Sequence, residues 1–272
     1  MTSPLALPAA SVALEADAED ADIERRFGGL ARLYGVDGAA RIRSAHVVVV
    51  GVGGVGSWTA EALARSGVAR LTLVDMDHVA ESNINRQIHA LSNTVGQAKI
   101  EAMRQRIALI HPGCRVDVVD DFVSPDNCDA LLPRDCDAVV DACDDVKAKT
   151  AIAAWARAQR GLSFITVGAA GGKRLAHLVD VDDLSRTTHD PLLAQLRYRL
   201  RKQHGAAREG KKIGVACVFS REAVAPPHPT CEIAEADGSL NCHGYGSVVA
   251  VTATFGQCAA GWVLDTLAKS AT

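Results

Sequence analysis

A glycine-rich segment near residue 50 has the composition of a phosphate-binding turn. Four valines at 47–50 precede the run G-V-G-G-V-G, and residues 57–64 continue with a helical pattern. A strand, a glycine turn and a helix in this order direct backbone N–H groups and a helix N-terminus toward a phosphate. Many NAD and FAD enzymes share the arrangement, so the turn alone predicts a nucleotide without identifying it. The candidate nucleotide-binding glycines are Gly51, Gly53, Gly54 and Gly56.

Further along the chain lie side chains suited to binding the ribose and the phosphates of a nucleotide. Asp75 ends the next apolar run, where an acid accepts hydrogen bonds from ribose hydroxyls unless it only caps the loop. Arg86 lies in a compact polar segment and could bind phosphate oxygens through its planar guanidinium, although an arginine in a loop is usually just solvated. Lys99 opens a long amphipathic helix, where its charge opposes the helix dipole. We therefore expect Lys99 to have another partner, which a triphosphate would supply.

Three carboxylates close the fourth apolar run, at Asp141, Asp144 and Asp145. The carboxyl ends of parallel strands form the ligand-binding edge of such a sheet, and carboxylates are preferred ligands of Mg²⁺. The alternative is that Asp144 or Asp145 caps the helix that begins near Val146. Both roles can coexist, so the cluster predicts a magnesium site in which one acid binds the metal while another caps.

The elements that must position these residues alternate along the chain. Apolar runs at 47–50, 71–75, 115–119, 137–141 and 163–167 predict strands, and helical patterns at 57–66, 97–110, 125–132 and 146–159 separate them. Strands that are apolar throughout indicate a sheet covered by helices on both faces. The fold class predicted is α/β: a doubly wound, largely parallel sheet of Rossmann type.

The flanking regions are organised differently. Residues 1–20 lack periodicity and predict a disordered tail, and 21–44 predict two short helices broken at Gly35. After residue 168 the pattern predicts an antiparallel C-terminal extension, with strands at 173–181 and 213–220 and a charged helix at 190–204. We therefore expect a single domain over 21–272, with a nucleotide-binding half at 21–167 and a substrate and dimer half at 168–272.

Bulk properties exclude several classes of protein. The 272 residues are 48% hydrophobic and 22% charged with net charge −3, which is ordinary for a soluble globular protein. None of the eight cysteines is spaced C-x-x-C, so a four-cysteine zinc clamp is not expected. The uncharged stretch 248–264 is slightly short for a membrane span and predicts a buried or dimer-interface helix. Without a recognisable leader we expect no membrane association and a cytoplasmic location.

Taken together, the motifs resemble a known superfamily. G-x-G-G-x-G, D-x-D, S-N-x-x-R-Q, G-x-x-K and D-x-x-D occur here in the order found in ubiquitin-activating-like adenylating enzymes, which include the activators of molybdopterin and thiamine sulfur carriers. The resemblance covers about 26–167 and implies that Mg-ATP converts a carboxylate into an acyl-adenylate. By position it implies a nucleotide site formed by the four glycines, Asp75, Asp77 and Asn83, phosphate binding by Arg86 and Lys99, and Mg²⁺ binding by Asp144.

Two departures distinguish the chain from the sulfur-carrier activators. It lacks their paired C-x-x-C ligands, and Gly29 stands where their N-terminal segment has a second arginine that reaches the partner subunit. Arg32, one helical turn on, is the expected substitute in a homodimer, with Arg26 as second choice.

The segments R-F-G-G-x-A-R-L-Y-G, T-V-G-A-A-G-G and T-A-T-F-G closely resemble the tRNA threonylcarbamoyladenosine dehydratase branch. This resemblance implies ATP-dependent activation of the threonyl carboxylate beside the anticodon and ring closure with net loss of water. One alternative is adenylation of a ubiquitin-like sulfur carrier. Another is an NAD-binding oxidoreductase or nucleotide sensor, which would leave Arg86, Lys99 and Asp144 without a role.

A tRNA substrate would need a basic surface, and one region is strongly basic. Binding of the phosphate backbone and an ordinary solvated face are equally good interpretations of it. A sulfur-transfer partner, which is associated with the family, would need a reactive thiol at Cys217 or Cys242, but buried structural roles are favoured for both. The candidate tRNA-binding residues are Arg197, Arg201, Lys202, Lys211 and Lys212.

Overall fold

The computed structural model describes residues 22–208, 210–226 and 245–269. Its strands form one sheet in the order β3-β2-β1-β4-β5-β7-β6. The strands β1 to β5 and β7 run parallel, and β6 pairs antiparallel with β7. The strands are β1 (His46–Val50), β2 (Arg70–Val74), β3 (Arg115–Val119), β4 (Ala138–Asp141), β5 (Ser163–Val167), β6 (Val179–Asp183) and β7 (Ala216–Ser220).

Helices cover both faces of the sheet, which confirms the doubly wound α/β prediction and its antiparallel extension. Along β1, Val47 and Val49 pack into one core and Val48 and Val50 into the other. This alternation explains why the strand is apolar throughout. The helices are α1 (Ile23–Phe27), α2 (Gly29–Ser44), α3 (Gly56–Arg65), α4 (Lys99–Ile110), α5 (Cys128–Leu131), α6 (Val146–Ala158), α7 (Pro191–Gln203) and α8 (Val249–Lys269).

The uncharged stretch 248–264 forms most of α8. Buried residues of this helix, among them Phe255 and Val263, belong to the same core as α2, α3 and α4, whereas α5, α6 and α7 cover the other face. Gly256 allows the close approach of α3, because a Cβ there would lie 2.6 Å from the carbonyl oxygen of Val55. The predicted core helix is therefore confirmed. Within the described ranges, every helix is too short or too polar to span a bilayer.

Two predicted strands of the C-terminal extension are shorter than expected. Residues 176–178 form a 3₁₀ turn, and β6 begins only at Val179. The strand expected from Ile213 begins at Ala216, because the N–H groups of Ile213 and Gly214 donate to the carboxylate of Asp183 at 2.9 and 2.7 Å. Side-chain partners thus replace the ladder hydrogen bonds that longer strands would have made.

Smaller differences occur elsewhere. The helix predicted over 125–132 is limited to α5, since the N–H of Ser124 donates to the side chain of Asn127 in a local turn. The predicted break at Gly35 is present as a kink inside α2, with φ 74° and ψ 167°, and a second break at Gly28 separates α1. The tail predicted at 1–20 lies outside the described residues.

Candidate functional site

A cavity of about 1270 Å³ opens at the carboxyl ends of β1, β2, β4 and β5. The strand order reverses between β1 and β4, and ligands of open α/β sheets bind at this crevice. Both predicted halves of the chain contribute walls to it. Nearly all the residues predicted to contact a nucleotide line this one space: Gly51, Gly53, Gly54, Asp75, Asp77, Asn83, Arg86, Lys99 and Asp144.

Three of the four glycines of the turn are needed for different structural reasons. Gly51 has φ +83°, and a Cβ there would lie 2.9 Å from the backbone of Ala142. Gly56 does not line the cavity, and its Cβ would meet the Gly51 carbonyl oxygen at 1.8 Å. Gly53 faces open space, with only the Gln87 side chain at 4.0 Å. Gly51 and Gly56 therefore serve the fold, whereas Gly53 leaves room for a ligand to approach the backbone.

We expect Gly56→Ala to lower the free energy of unfolding by about 3 kcal/mol or more, because the added methyl group cannot fit against the Gly51 carbonyl. Gly53→Ala is the matched control, and its stability should stay near that of the unmodified chain. Urea denaturation measures both. Equal stability of the two variants would contradict this assignment of the glycines.

Asp75 ties the glycine turn to the end of β2. One carboxylate oxygen accepts from the N–H of Val52 at 2.6 Å and the other from the N–H of Asp77 at 2.9 Å. Burial raises the pKa of the Asp75 carboxyl, while the charge of Lys99 and these two hydrogen bonds oppose the rise. A carboxylate offers about four acceptor sites. Capping the turn and accepting from ribose hydroxyls are thus compatible.

Lys99 has a protein partner in this structure. Its Nζ lies 2.6 Å from a carboxylate oxygen of Asp77, and its N–H donates to the Asp77 carbonyl. The lysine side chain is only 8% exposed, whereas that of Asp77 is 67% exposed. The partner expected for Lys99 is therefore Asp77 of the same chain. The ammonium also borders the cavity. Asn83 is also buried, and its side-chain oxygen accepts from the N–H of Ala80.

Arg86 is held between the glycine turn and α3. Its guanidinium donates to the carbonyl of Ser82 at 2.7 Å and to the side chain of Asn85 at 2.9 Å. Its carbonyl accepts from the indole N–H of Trp58. Burial lowers the pKa of the guanidinium, yet arginine remains a cation in proteins. A positive charge is therefore fixed at the cavity wall, close to the turn, where an anion is most easily bound.

The three acids at the end of β4 have separate roles, and the predicted cap is one of them. Asp141 is fully buried, with Lys149 Nζ at 3.0 Å and the hydroxyl of Thr166 donating at 2.6 Å. Asp145 caps α6 by accepting from the N–H of Ala148. In the part of the chain that the structure describes, no three His, Cys, Asp or Glu residues are placed to hold a metal ion. Asp144 and Asp145 are both exposed and both line the cavity, but the Asp145 carboxylate is already used as the cap.

Comparison with known proteins agrees with this geometry. The model of the ThiF family matches residues 28–272. The chain belongs to the ThiF family. Its curated relatives include tRNA threonylcarbamoyladenosine dehydratases of Haemophilus influenzae, 45% identical over 90% of this chain and 94% of that protein, and of Escherichia coli K12, 46% identical over 91% and 95%. The resemblance predicted from the motifs is thereby confirmed.

Solved structures extend the likeness to three dimensions. The crystal structure of the Escherichia coli dehydratase in complex with ATP matches with a TM-score of 0.80 at 45% identity, covering 90% of this chain and 94% of that one. The same protein in complex with AMP matches with a TM-score of 0.80 at 46% identity and the same coverage. This ThiF-family chain therefore has the fold of those nucleotide complexes along most of its length.

In the part of this ThiF-family chain that the structure describes, the thiols nearest to the site are poor nucleophiles. Cys143 lines the cavity, and burial raises the pKa of its thiol well above the usual value, as it does for the fully buried Cys217. Both groups therefore stay protonated near neutral pH. The structural role favoured for Cys217 is confirmed, and Cys242 lies outside the described residues.

The N-terminal arginines are located away from the cavity of their own chain. Arg32 is exposed on α2 and does not line the cavity. Arg26 donates to the carbonyl of Ile110 at 2.7 Å, so its guanidinium already has a partner. Beside Arg32, Leu33 and Val36 are 73% and 74% exposed. Large apolar side chains exposed together are typical of a contact surface.

The basic residues of α7 divide into inward and outward sets. Arg197 donates to the carbonyls of Leu184 and Thr187 and to the Thr187 hydroxyl, and Arg201 donates to the carbonyl of Ala207. The helix face that these two arginines share therefore contacts neighbouring loops, and their contact with tRNA stays a prediction. The exposed members of the predicted set are Lys202, Lys211 and Lys212.

Sequence reasoning missed the far wall of the cavity. The turn at 168–171 lines it directly after β5, and its position after a parallel strand was the available signal. Asp190 caps α7 and also accepts from the N–H of Ala169 at 2.9 Å, which fixes this wall. Gln87 lines the opposite side, and its buried Oε1 has no hydrogen-bond partner within the described residues. A polar group of this kind is suited to contacting a bound ligand.

Proposed function

We propose that this chain is an ATP-dependent tRNA-modifying enzyme that cyclises threonylcarbamoyladenosine beside the anticodon with net loss of water. The observation that carries the proposal is the single cavity in which the glycine turn, Asp75, Arg86, Lys99 and Asp144 meet. The relatives that are tRNA threonylcarbamoyladenosine dehydratases indicate the substrate class, and the Escherichia coli enzyme in complex with ATP or AMP indicates the nucleotide. A tRNA substrate also favours a cytoplasmic location.

The chemistry explains why a nucleotide site is needed. A free carboxylate is a poor electrophile, so one of its oxygens attacks the α-phosphorus of ATP and pyrophosphate leaves. A nucleophile of the same substrate then attacks the activated carbonyl carbon, losing its proton as AMP departs. Because this closure is intramolecular, it benefits from a high effective concentration. No cysteine nucleophile is required, in agreement with the protonated thiols of Cys143 and Cys217.

The roles of the residues follow from their positions. Gly53 and Gly54 let the phosphates approach the backbone, and Asp75 accepts from the ribose. Arg86 and Lys99 contact phosphate oxygens, and Lys99 exchanges the exposed carboxylate of Asp77 for a phosphate when the nucleotide enters. Asp144 fits Mg²⁺, because this ion is usually held by one or two carboxylates together with substrate phosphates and water. The ion would offset the charge of the triphosphate during adenylation.

The test is to incubate the chain with Mg-ATP and tRNA that carries threonylcarbamoyladenosine, and to weigh the modified nucleoside. We expect a product lighter by one water and one AMP formed for each nucleoside converted, with neither in the absence of ATP. The alternative, a sulfur-carrier adenylyltransferase, would instead show pyrophosphate exchange only with a carrier ending in Gly-Gly. An unchanged nucleoside together with that exchange would overturn the proposal.

We also propose that the active unit is a homodimer in which Arg32 completes the partner's site. Its support is that the exposed arginine lies beside the apolar Leu33 and Val36 and is not among the residues that line the cavity of its own chain. A sulfur-transfer partner stays a prediction of the family resemblance alone.

Mixing an Arg32→Ala chain with a Lys99→Ala chain should restore part of the activity that each lacks. In a mixed dimer, one site has its own Lys99 together with Arg32 from the other subunit. Differently tagged chains verify that subunits have exchanged, and AMP formation is the readout. Confirmed heterodimers that are as inactive as both parents would show that Arg32 does not act across the interface.

The exposed lysines at 202, 211 and 212 are proposed to contact tRNA phosphates. Replacing all three with Glu should weaken tRNA binding and lower the slope of log affinity against log salt by about one unit for each lost contact. Arg104→Glu with Lys269→Glu, on helices of the other sheet face, is the matched control. ATP affinity should not change in either variant. An unchanged salt slope in the triple variant would identify this surface as merely solvated.

A further inference from the structure

The outer face of α7 carries a second, smaller cavity, and Lys202 is the one residue of its lining that has been given a role above. Its volume is about 390 Å³, and all five lining residues belong to this helix: Gln195, Tyr198, Arg199, Lys202 and Gln203. Tyr198 is 62% exposed, and Lys202 Nζ lies 5.6 Å from the centre of its ring. An aromatic ring, amides and cations thus share one accessible surface.

Packing of the helix does not explain this surface. The buried side of α7 is formed by leucines, at 192, 193, 196 and 200. The guanidinium groups of Arg197 and Arg201 donate to nearby carbonyls and so also serve the fold. A tyrosine left largely in water between charged residues therefore contributes little to stability, and a ligand is the better explanation of its placement.

The surface is continuous with the main cavity. Gln195 lines both spaces, and Pro191 and Leu192 at the start of the helix line the main one. With a rise of about 1.5 Å per residue, Tyr198 lies about 4.5 Å and Lys202 about 10 Å further along the axis. Anything bound on this face would thus extend from the edge of the reaction site outward.

Charge and ring chemistry identify the class of occupant. The helix sequence PLLAQLRYRLRKQ contains four basic residues and no acid, which favours a polyanion. Unpaired bases of RNA loops are recognised by stacking on aromatic side chains, at about 1–3 kcal/mol per base. An acidic protein surface would use the cations but would not need the exposed ring.

We propose that Tyr198 is a stacking platform for an unpaired anticodon-loop base next to the modified nucleoside, with Arg199 and Lys202 contacting its flanking phosphates. This inference rests on the proposed function, because it requires a tRNA loop in the main cavity. Gln195, at the junction of the two spaces, lies between the reacting nucleoside and the stacked neighbour.

The test measures binding of an anticodon stem-loop RNA to the full chain by fluorescence anisotropy, together with the KM for tRNA and for ATP. Tyr198→Ala should weaken stem-loop binding and raise the KM for tRNA by about tenfold or more. The KM for ATP and the salt slope should stay unchanged, since no charge is lost. Tyr198→Phe should bind within about twofold of the unmodified chain, because the ring is retained.

Leu109→Ala is the matched control, since Leu109 is also 62% exposed but lies on α4 on the other face of the sheet. A stem-loop with an abasic site beside the modified nucleoside supplies a second test. The unmodified chain should bind this abasic loop more weakly than it binds the intact loop. The Tyr198→Ala variant, which has no ring to stack on, should bind the abasic loop no more weakly than the intact loop.

Two results would overturn the platform. Either Tyr198→Ala binds the stem-loop as tightly as the unmodified chain, or Tyr198→Phe is as weak as Tyr198→Ala, which would indicate a hydroxyl contact rather than stacking. If Lys202→Ala weakened binding of the stem-loop and Tyr198→Ala did not, this face would contact a charged partner without a stacked base. If the unmodified chain itself neither binds nor converts tRNA, the proposed function fails, and that outcome is distinct from these.

Discussion

Asp144→Asn is expected to abolish adenylation while ATP still binds weakly. Asp144 and Asp145 are both exposed at the cavity. Asp145 caps α6 and Asp141 is paired with Lys149, which leaves Asp144 as the candidate metal ligand. An amide keeps the shape of the side chain but loses the charge that Mg²⁺ requires. Metal stabilisation of the transition state is worth several kcal/mol, so the rate should fall by about 10³-fold or more.

Asp145→Asn is the matched control, because it makes the same substitution with the same change of charge at the next residue of the chain. Asparagine caps a helix about as well as aspartate, so the rate should stay close to that of the unmodified chain. AMP formation measured over a range of Mg²⁺ concentrations gives the comparison. Near-normal turnover of Asp144→Asn at low millimolar Mg²⁺ would show that the metal is held elsewhere.

Arg86→Ala and Lys99→Ala should each slow the reaction by about 10²-fold or more. Each removes a buried or nearly buried cation at the cavity wall, where the effective dielectric constant is low and a fixed charge stabilises developing charge strongly. The loss should appear in kcat and in pyrophosphate exchange. Arg104→Ala, an exposed arginine on the same helix as Lys99, is the control and should change neither.

The readout separates phosphate contacts from other roles. A variant that only raised the KM for tRNA would place that residue on the RNA surface rather than on the triphosphate. Thermal unfolding of Arg86→Ala should also be recorded, because the guanidinium donates to Ser82 and Asn85 and removing it loosens that segment.

The environment of Lys99 shows how the site is maintained before a nucleotide binds. A buried ammonium without a partner is costly, and Asp77 supplies the missing charge at 2.6 Å. Because the Asp77 carboxylate is mostly in water, its release costs less than that of a buried partner. An exchangeable pair at the cavity wall thus keeps the lysine side chain positioned.

The sequence by itself determined the features that depend on local order. Valine runs followed by a glycine turn required the strand, turn and helix around Gly51, and alternation of apolar runs with amphipathic segments required the doubly wound sheet. Once that sheet was predicted, residues at successive strand ends had to meet at one edge. For this reason Asp75 and Asp144, which are 69 positions apart in the sequence, were assigned correctly to the same edge of the sheet.

Only the tertiary structure decided which partner each polar side chain takes. Spacing could not separate Asp141, Asp144 and Asp145, because the distinction depends on Lys149 and Thr166 reaching one of them inside the core. It also could not show that Arg197 donates to the loop at 184–187. Hydrogen bonds act over about 3 Å, so they are fixed only when distant segments have packed, whereas periodicity and turn chemistry act between neighbours along the chain.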